Sequence, residues 1–276
     1  MNTAVVADLH GLQPRFEKAR KLIDEGFKRF LIAGDIAPMG YPEAQRANVK
    51  QNFEFLLHGR KDVEIWAIPG NDDWKIVEKT LKEFSEVTIP TDIAYPLDDG
   101  FSIVGYPYVP ITPFNMKDYE KWDSPDYPEL PADPAGLKEA LIEFRINLEG
   151  LKSEGFELVD FRFDPQDRTD NIEQDLGRIE RLRDPAKTVY LFHSPPYFEN
   201  EPLRIGSRSI TEFIKTNNPL ITIHGHSHTA VERMKGKFVF DIGDTKSVLV
   251  GAGNDPYVLN FVTLDLKARS MERCRI

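Results

Sequence analysis

A chain of 276 residues with 41% hydrophobic content is long enough to bury a sizeable core, and large α/β folds reach this size undivided. A formal net charge of −10 and a pI near 5.2 disfavour nucleic acid as a partner, since that surface needs clustered Lys and Arg; only a local basic groove stays open. The single cysteine, Cys274, allows no internal disulfide. No basic-then-apolar leader precedes the first strand and no apolar run approaches the about 20 residues that span a bilayer, so the expectation is a cytoplasmic protein without a membrane partner.

The first element is a buried strand through Val5, Val6 and Ala7 that ends in Asp8-Leu9-His10-Gly11. If the extended conformation persists, Asp8 and His10 point the same way, because side chains alternate along a strand. Phe16, Ala19, Leu22, Ile23 and Phe27 then recur at helical spacing, and residues 29–33 form an apolar strand that ends in Gly34-Asp35. A helix follows over 42–58, with Ala47, Phe53, Leu56 and Leu57 toward the core. The next strand, 63–68, runs into Pro69-Gly70-Asn71-Asp72-Asp73. Parallel crossover units gather such ends at one edge of a sheet.

Residues 93–105 read as a hairpin turning at Asp98-Asp99-Gly100. Residues 106–134, rich in Pro, Tyr and Asp, show no period, which fits a lid or a surface excursion. Leu137, Leu141, Phe144 and Leu148 predict a helix over 135–154, and a more charged one fits 171–183. Residues 106–186 are therefore read as an insertion or cap within a single domain spanning 1–276. A strand over 188–192 ends in His193, a short helix fits 210–216, and the strand 220–223 ends in His224-Gly225-His226-Ser227-His228. The remainder reads as antiparallel strands joined by Gly, Asn and Asp turns.

Five strand ends thus carry Asp8 with His10, Asp35, Asn71, His193, and His226 with His228. Each piece alone has an ordinary reading: Asp-x-His as a satisfied polar pair, Gly-Asp as a turn, Gly-Asn-Asp-Asp as a turn and helix cap. Together they supply the imidazole and carboxylate donors that two divalent ions require. In this order the motifs Asp8-Leu9-His10, Gly34-Asp35, Gly70-Asn71-Asp72-Asp73, His193 and Gly225-His226-Ser227-His228 resemble those of the calcineurin-like metallophosphoesterase family. The resemblance spans residues 8 to 228 and implies a four-layer α/β/β/α sandwich of two mixed sheets. By the same resemblance Asp8, His10 and His228 hold one metal, Asn71, His193 and His226 hold the other, and Asp35 bridges them. The implied chemistry is hydrolysis of a small phosphorylated substrate by in-line attack of a metal-bridging hydroxide. Mn, Fe, Zn, Co and Ni all suit such donors.

One position departs from the common pattern. Many members of the family carry His after the motif Asn, as proton donor to the leaving group, whereas this chain has Asp72. An ionised Asp beside two cations is a poor acid, so the expectation is a preference for good leaving groups, or an acid from elsewhere. The substrates expected are phosphodiesters or nucleotide-like compounds, with phosphomonoesters as the alternative. His224 is the nearest candidate by sequence, with a structural role as its alternative. Tyr106, Tyr108 and Phe114 are read first as packing residues and second as pocket walls. Tyr197 has a better claim to line the site, and Arg204 and Arg208 stand open between phosphate contact and a solvated loop. Two further readings stay in view: a nuclease of the same superfamily, recognised by salt-sensitive DNA binding, and a non-catalytic metal-binding scaffold, recognised by absence of chelator-sensitive turnover.

Overall fold

The computed structural model describes residues 2–131, 133–198 and 206–276. Three parallel strands, β1 (Thr3–Val6), β2 (Arg29–Ala33) and β3 (Glu64–Ile68), are joined by α1 (Gln13–Asp24) and α2 (Pro42–Leu57). Both helices begin with a proline in their first turn, where a missing N–H leaves no bond unmade. Helix α3 (Lys75–Leu81) leads to the short β4 (Val87–Thr88), also parallel to β3. Strands β5 (Tyr95–Pro96) and β6 (Ser102–Tyr106) form the expected antiparallel hairpin around residues 98–100.

Between β6 and its parallel neighbour β11 the chain makes a long excursion. It contains β7 (Val109–Pro110) paired with β8 (Glu120–Lys121), helix α4 (Pro134–Glu143), the hairpin β9 (Glu149–Glu154) and β10 (Glu157–Arg162), and helix α5 (Ile172–Ile179). The chain then re-enters at β11 (Thr188–Phe192), α6 (Arg208–Asn217), β12 (Ile221–His224) and α7 (Ala230–Arg233). It finishes with β13 (Val239–Ile242), β14 (Thr245–Leu249), β15 (Asn260–Asp265) and β16 (Ser270–Arg275). Among the described residues no helix is long and apolar enough to cross a membrane.

Two six-stranded mixed sheets result among the described residues, in the orders β16-β15-β1-β2-β3-β4 and β13-β14-β12-β11-β6-β5. Strand alternation sorts their side chains into three cores, because a strand covered on both faces must be apolar on both. Ala4, Val6, Phe30 and Ile32 face helices α1 and α2 with Phe16, Val49 and Phe53. Val5, Leu31, Ala33 and Ile68 meet Ile103, Leu191, Ile223 and Val248 between the sheets. Tyr190 and Phe192 face α5 and α6 through Leu176, Ile210 and Phe213. The four-layer α/β/β/α sandwich expected from the sequence is what these clusters fill.

Three expectations need correction, and the first is that Ala47 of α2 faces solvent, with Val49 one of the helix's buried residues instead. The helix predicted over 135–154 stops at Glu143, Arg145 turns left-handed at φ +54°, and residues 149–162 form the β9–β10 hairpin about Gly155 at φ +69°. Leu148 keeps the helical spacing by coincidence; it packs instead with Ile111, Trp122 and Phe163. Nor is the C-terminal part wholly antiparallel, since β14 runs parallel to β12.

The excursion holds a fully buried ion pair. Lys117 Nζ donates to Glu120 Oε2 at 2.7 Å and to the Thr112 carbonyl at 3.1 Å, while the Thr112 hydroxyl donates to the other Glu120 oxygen. Breaking such a pair strands a charge. Lys117→Met alone is expected to lower stability by about 3–5 kcal/mol in urea unfolding, and the double change Lys117→Met with Glu120→Leu to recover most of it; equal losses in both variants would show that packing, not charge, matters here.

Candidate metal centre

The ligand-type residues lie on loops at the C-terminal ends of β1, β2, β3, β11 and β12. Their backbone is not extended. Strand β1 ends at Val6, and Asp8, His10, Asp35 and His226 take φ values of +54°, +48°, +52° and +63°. Simple strand alternation therefore does not orient Asp8 and His10; tight left-handed turns do. Such a conformation costs a non-glycine residue on the order of 1–3 kcal/mol and persists only where the surroundings enforce it. Here the first two loops are zipped together, with the N–H groups of Asp8, His10 and Gly11 donating to the carbonyls of Gly34, Asp35 and Ile36 at 2.9, 2.9 and 2.7 Å. Asp73, fully buried, accepts from the N–H groups of Ala37, Gly70 and Ile36 at 2.8, 2.9 and 3.0 Å, clamping the second loop to the third. Glycine is required at Gly34 and Gly70, where a Cβ would stand 2.2 Å from His193 Nδ1 and 2.3 Å from Asp35 Oδ1. Arg15 is buried beneath Asp8, donating to its carbonyl and, at 2.9 and 3.2 Å, to those of Gly253 and Asp255.

Two donor groups result, and Asp35 belongs to both. One ligand atom each from Asp8, His10, Asp35 and His228 lie within 4.8 Å of one another, as do those of Asp35, His193 and His226. Asn71 joins the second group, its Oδ1 lying 3.0 Å from His193 Nε2. His10 Nε2 faces His228 Nε2 at 2.8 Å, and His193 Nε2 is 3.3 Å from Asp35 Oδ2. Asp8 Oδ1 accepts from the His226 N–H at 2.9 Å, but its Oδ2 is buried with no partner among the described residues. An orphaned carboxylate oxygen is costly unless a cation meets it.

The charges say the same. Burial, and then the charge of Asp35, push the Asp8 carboxyl up to about 7. Burial, then Asp35 and Asp73, push Asp72 up to about 8. Burial opposes ionisation of Asp35 as well, but the charge and hydrogen bond of His193 outweigh it and hold Asp35 well below the usual carboxylate range. Reciprocally His193 rises to about 9: burial lowers it, and Asp35 more than compensates. Burial holds His226 and His228 neutral, at about 3 and about 4. The neutral imidazoles of His226 and His228, beside the orphaned Asp8 oxygen and the ionised Asp35, are donors that borderline divalent cations take.

The remaining candidates separate. Asp72 stays at the centre, its N–H donating to Asp35 Oδ1 at 2.8 Å and its Oδ1 accepting from Asn71 Nδ2 at 2.8 Å. His224 lies apart, fully buried, its Nδ1 on the Ser194 carbonyl and its Nε2 on Thr222 Oγ1, both at 2.8 Å. Its ring stacks on Phe192, and no nitrogen is left to serve a leaving group, so of its two readings the structural one describes its placement. Tyr106 donates to Asp175 at 2.8 Å and Tyr108 lies under Lys121, both away from the donor groups. Tyr197 lines a different cavity, with its ring against Arg208, and Arg204 lies outside the described residues. Phe114 does line the cavity of about 290 Å³ over the centre, together with Asp72, His228, Arg233 and Asn254. Sequence reading gave no role to Asp73, Arg15, Arg233 or Asn254; only Asp73 carried a signal, by its place in the Gly-Asn-x-Asp motif.

Asp35→Asn is expected to lower Mn²⁺ affinity more than about 100-fold by calorimetry, beyond the 10–100-fold typical of supporting residues; retained affinity would remove Asp35 from the shared position. For His224, burial lowers the folded-state pKa to about 4 from 6.5. The unfolded chain takes up that proton first, so stability is lost as pH falls from 6.5 to about 4, by up to about 3 kcal/mol. His224→Gln should flatten that part of the stability profile in urea unfolding; an unchanged profile would mean that His224 does not titrate this way.

A model of the calcineurin-like phosphoesterase family matches residues 1–230. Among solved structures, TT1561 of Thermus thermophilus superposes with a TM-score of 0.61 at 15% identity, covering 99% of this chain and 97% of that one. An archaeal phosphodiesterase aligns with a TM-score of 0.48 at 13% identity over all of both chains. A dimetal phosphatase from Danio rerio gives 0.48 at 12% identity over 95% of this chain and 91% of its own. No curated protein sequence matches. The first superposition shows a shared fold, and the family match covers most of the chain and all of its clustered donors: the chain belongs to the calcineurin-like phosphoesterase family.

Proposed function

We propose that the chain is a dinuclear metal-dependent phosphoesterase whose substrates are phosphodiesters or nucleotide-like compounds, with phosphomonoesters as the alternative. The observation that carries this reading is the pair of donor groups sharing Asp35 beneath an open cavity. In it Asp8, His10 and His228 would hold one ion, Asn71, His193 and His226 the other, and Asp35 both. When bound, the ions supply Lewis acidity that offsets phosphoryl charge and acidifies water.

The chain's own residues do the positioning. Asp73 and Arg15 keep the three carboxylate-bearing loops in register before any ligand arrives, so little reorganisation falls on the reaction itself. His193 Nδ1, engaged 2.8 Å from the Ala33 carbonyl, leaves Nε2 as its donor atom. Exposed Arg233 on the cavity wall offers a guanidinium to the substrate's anionic oxygens. Asp72 takes the place where a proton donor is common. Its carboxyl is held up by burial and by Asp35, and cation charge reverses that bias, so departure of the leaving group rests on its own stability. The lone Cys274 supports action in the cytoplasm, with manganese one of the metals the donors suit.

Bis(p-nitrophenyl) phosphate with Mn²⁺ is expected to turn over, to stop on addition of EDTA, and to outpace a dialkyl phosphate by at least about 100-fold. Turnover that survives EDTA would remove the metal from the reaction. Metal binding without turnover on any phosphomonoester, diester or nucleotide would favour the scaffold reading.

A further inference from the structure

The cavity over the donor groups is walled by polar and charged side chains with one exception. Phe114 is the single aromatic carbocycle among its lining residues, and 49% of it is exposed. Exposed aromatic residues on mobile loops usually fold down onto the nearest apolar surface. That surface is at hand, since Trp74, Ile76, Met116, Leu151 and Leu158 form a cluster that takes up Met116, two residues away. Phe114 is kept out of it.

The loop that keeps it out is held at several points. The Phe114 N–H donates to Thr112 Oγ1 at 3.1 Å, and the Thr112 N–H to Glu120 Oε2 at 3.1 Å. Glu120 and its partner Lys117 are fully buried. On the other side, the Asn115 carbonyl accepts from the Leu151 N–H at 2.7 Å, and Lys117 N–H donates to the Leu151 carbonyl at 2.9 Å. That approach requires glycine at Gly150, where a Cβ would stand 2.3 Å from the Asn115 oxygen. A buried ion pair is a poor source of stability compared with apolar packing. Its effect here is positional: it fixes the backbone from which the Phe114 ring reaches the cavity.

We propose that Phe114 is a specificity-determining platform on which a flat aromatic group, attached to the phosphorus held at the metal centre, stacks. The proposal rests on the phosphoesterase reading and names the substrate class within it: phosphate esters with an aromatic group close to phosphorus. A ring against an aromatic face is the contact that a polar cavity otherwise lacks, and Phe114 supplies it without a hydrogen bond that would demand one particular heterocycle.

Calorimetry of Mn²⁺-loaded protein with phenylphosphonate and methylphosphonate tests this, since neither ligand can be hydrolysed. The wild type is expected to bind phenylphosphonate about fivefold to tenfold more tightly than methylphosphonate. Phe114→Ala should remove that preference while leaving methylphosphonate affinity and bound manganese unchanged, and Phe114→Tyr should keep it. A preference that survives Phe114→Ala, or is absent from the wild type, overturns the platform and leaves the phosphoesterase reading intact. Parallel loss of both ligands in Phe114→Ala also overturns it, by making Phe114 a structural residue. If neither phosphonate binds while bis(p-nitrophenyl) phosphate turns over, the platform falls and the phosphoesterase reading stands; if neither binds and no phosphoester turns over, both fall.

Discussion

The interaction on which the site depends is the one between Asp35 and His193, because it joins the two sheets. Asp35 follows β2 in the first sheet and His193 follows β11 in the second; their side chains meet at 3.3 Å, and His193 Nδ1 also reaches back to the Ala33 carbonyl beside Asp35. The charge of Asp35 raises the basicity of His193 against the opposing effect of burial, so each member of the pair favours the charged form of the other. With His193 Nδ1 engaged by the Ala33 carbonyl, Nε2 is the nitrogen that faces Asp35. In the proposed metal-bound state an ion would displace any proton from that nitrogen, and the same carboxylate would favour the ion. The sheets are brought to the right spacing by their shared apolar core, so the polar contact at the edge inherits its geometry from residues such as Leu31, Ile68 and Leu191.

Around that contact, the carboxylates divide into two kinds. Asp8 and Asp35 point into the centre with oxygens unpaired or shared, whereas Asp73 is spent on the backbone. Three N–H groups satisfy Asp73 fully, and the positions they belong to are the ones flanking Asp35 and Asn71. A carboxylate satisfied in this way holds its loops rigid, while an unsatisfied one attracts a ligand. Adjacent residues of one motif, Asn71 to Asp73, thus do different work through the direction their side chains take.

Much of this was legible in the residues. Polar side chains at the ends of apolar strands are conspicuous, and the crossover rule places Asp8, His10, Asp35 and Asn71 at one sheet edge, whereas joining His193, His226 and His228 to them is what the family resemblance implies. What could not be read was direction. His224 sits at the same kind of strand end as His226, yet it remains in the strand and points to the opposite face, whereas the left-handed turn at His226 swings that ring to the centre. Arg15 reads as a surface residue of an amphipathic helix, and only the return of residues 253–255 to the site reveals what it holds. The β9–β10 hairpin is not legible in the sequence, because apolar spacing alone does not separate a helix from a strand once a left-handed residue such as Arg145 interrupts it.

The antiparallel pairing of β1 with β15 has a consequence for how the centre comes into being. Thr3 is in register with Leu264, roughly 260 residues later, while β14, from the same C-terminal part, completes the other sheet beside β12. The Gly253 N–H that tethers the His228 carbonyl belongs to the loop between them. The strand that precedes Asp8 thus takes one neighbour, β2, from nearby in sequence and the other, β15, from beyond every donor residue. Such long-range closure slows folding, since the entropy of a large loop must be lost before the contact forms. The loop carrying Gly253 and Asp255, whose carbonyls Arg15 holds beneath Asp8, is thereby anchored by one strand of each sheet.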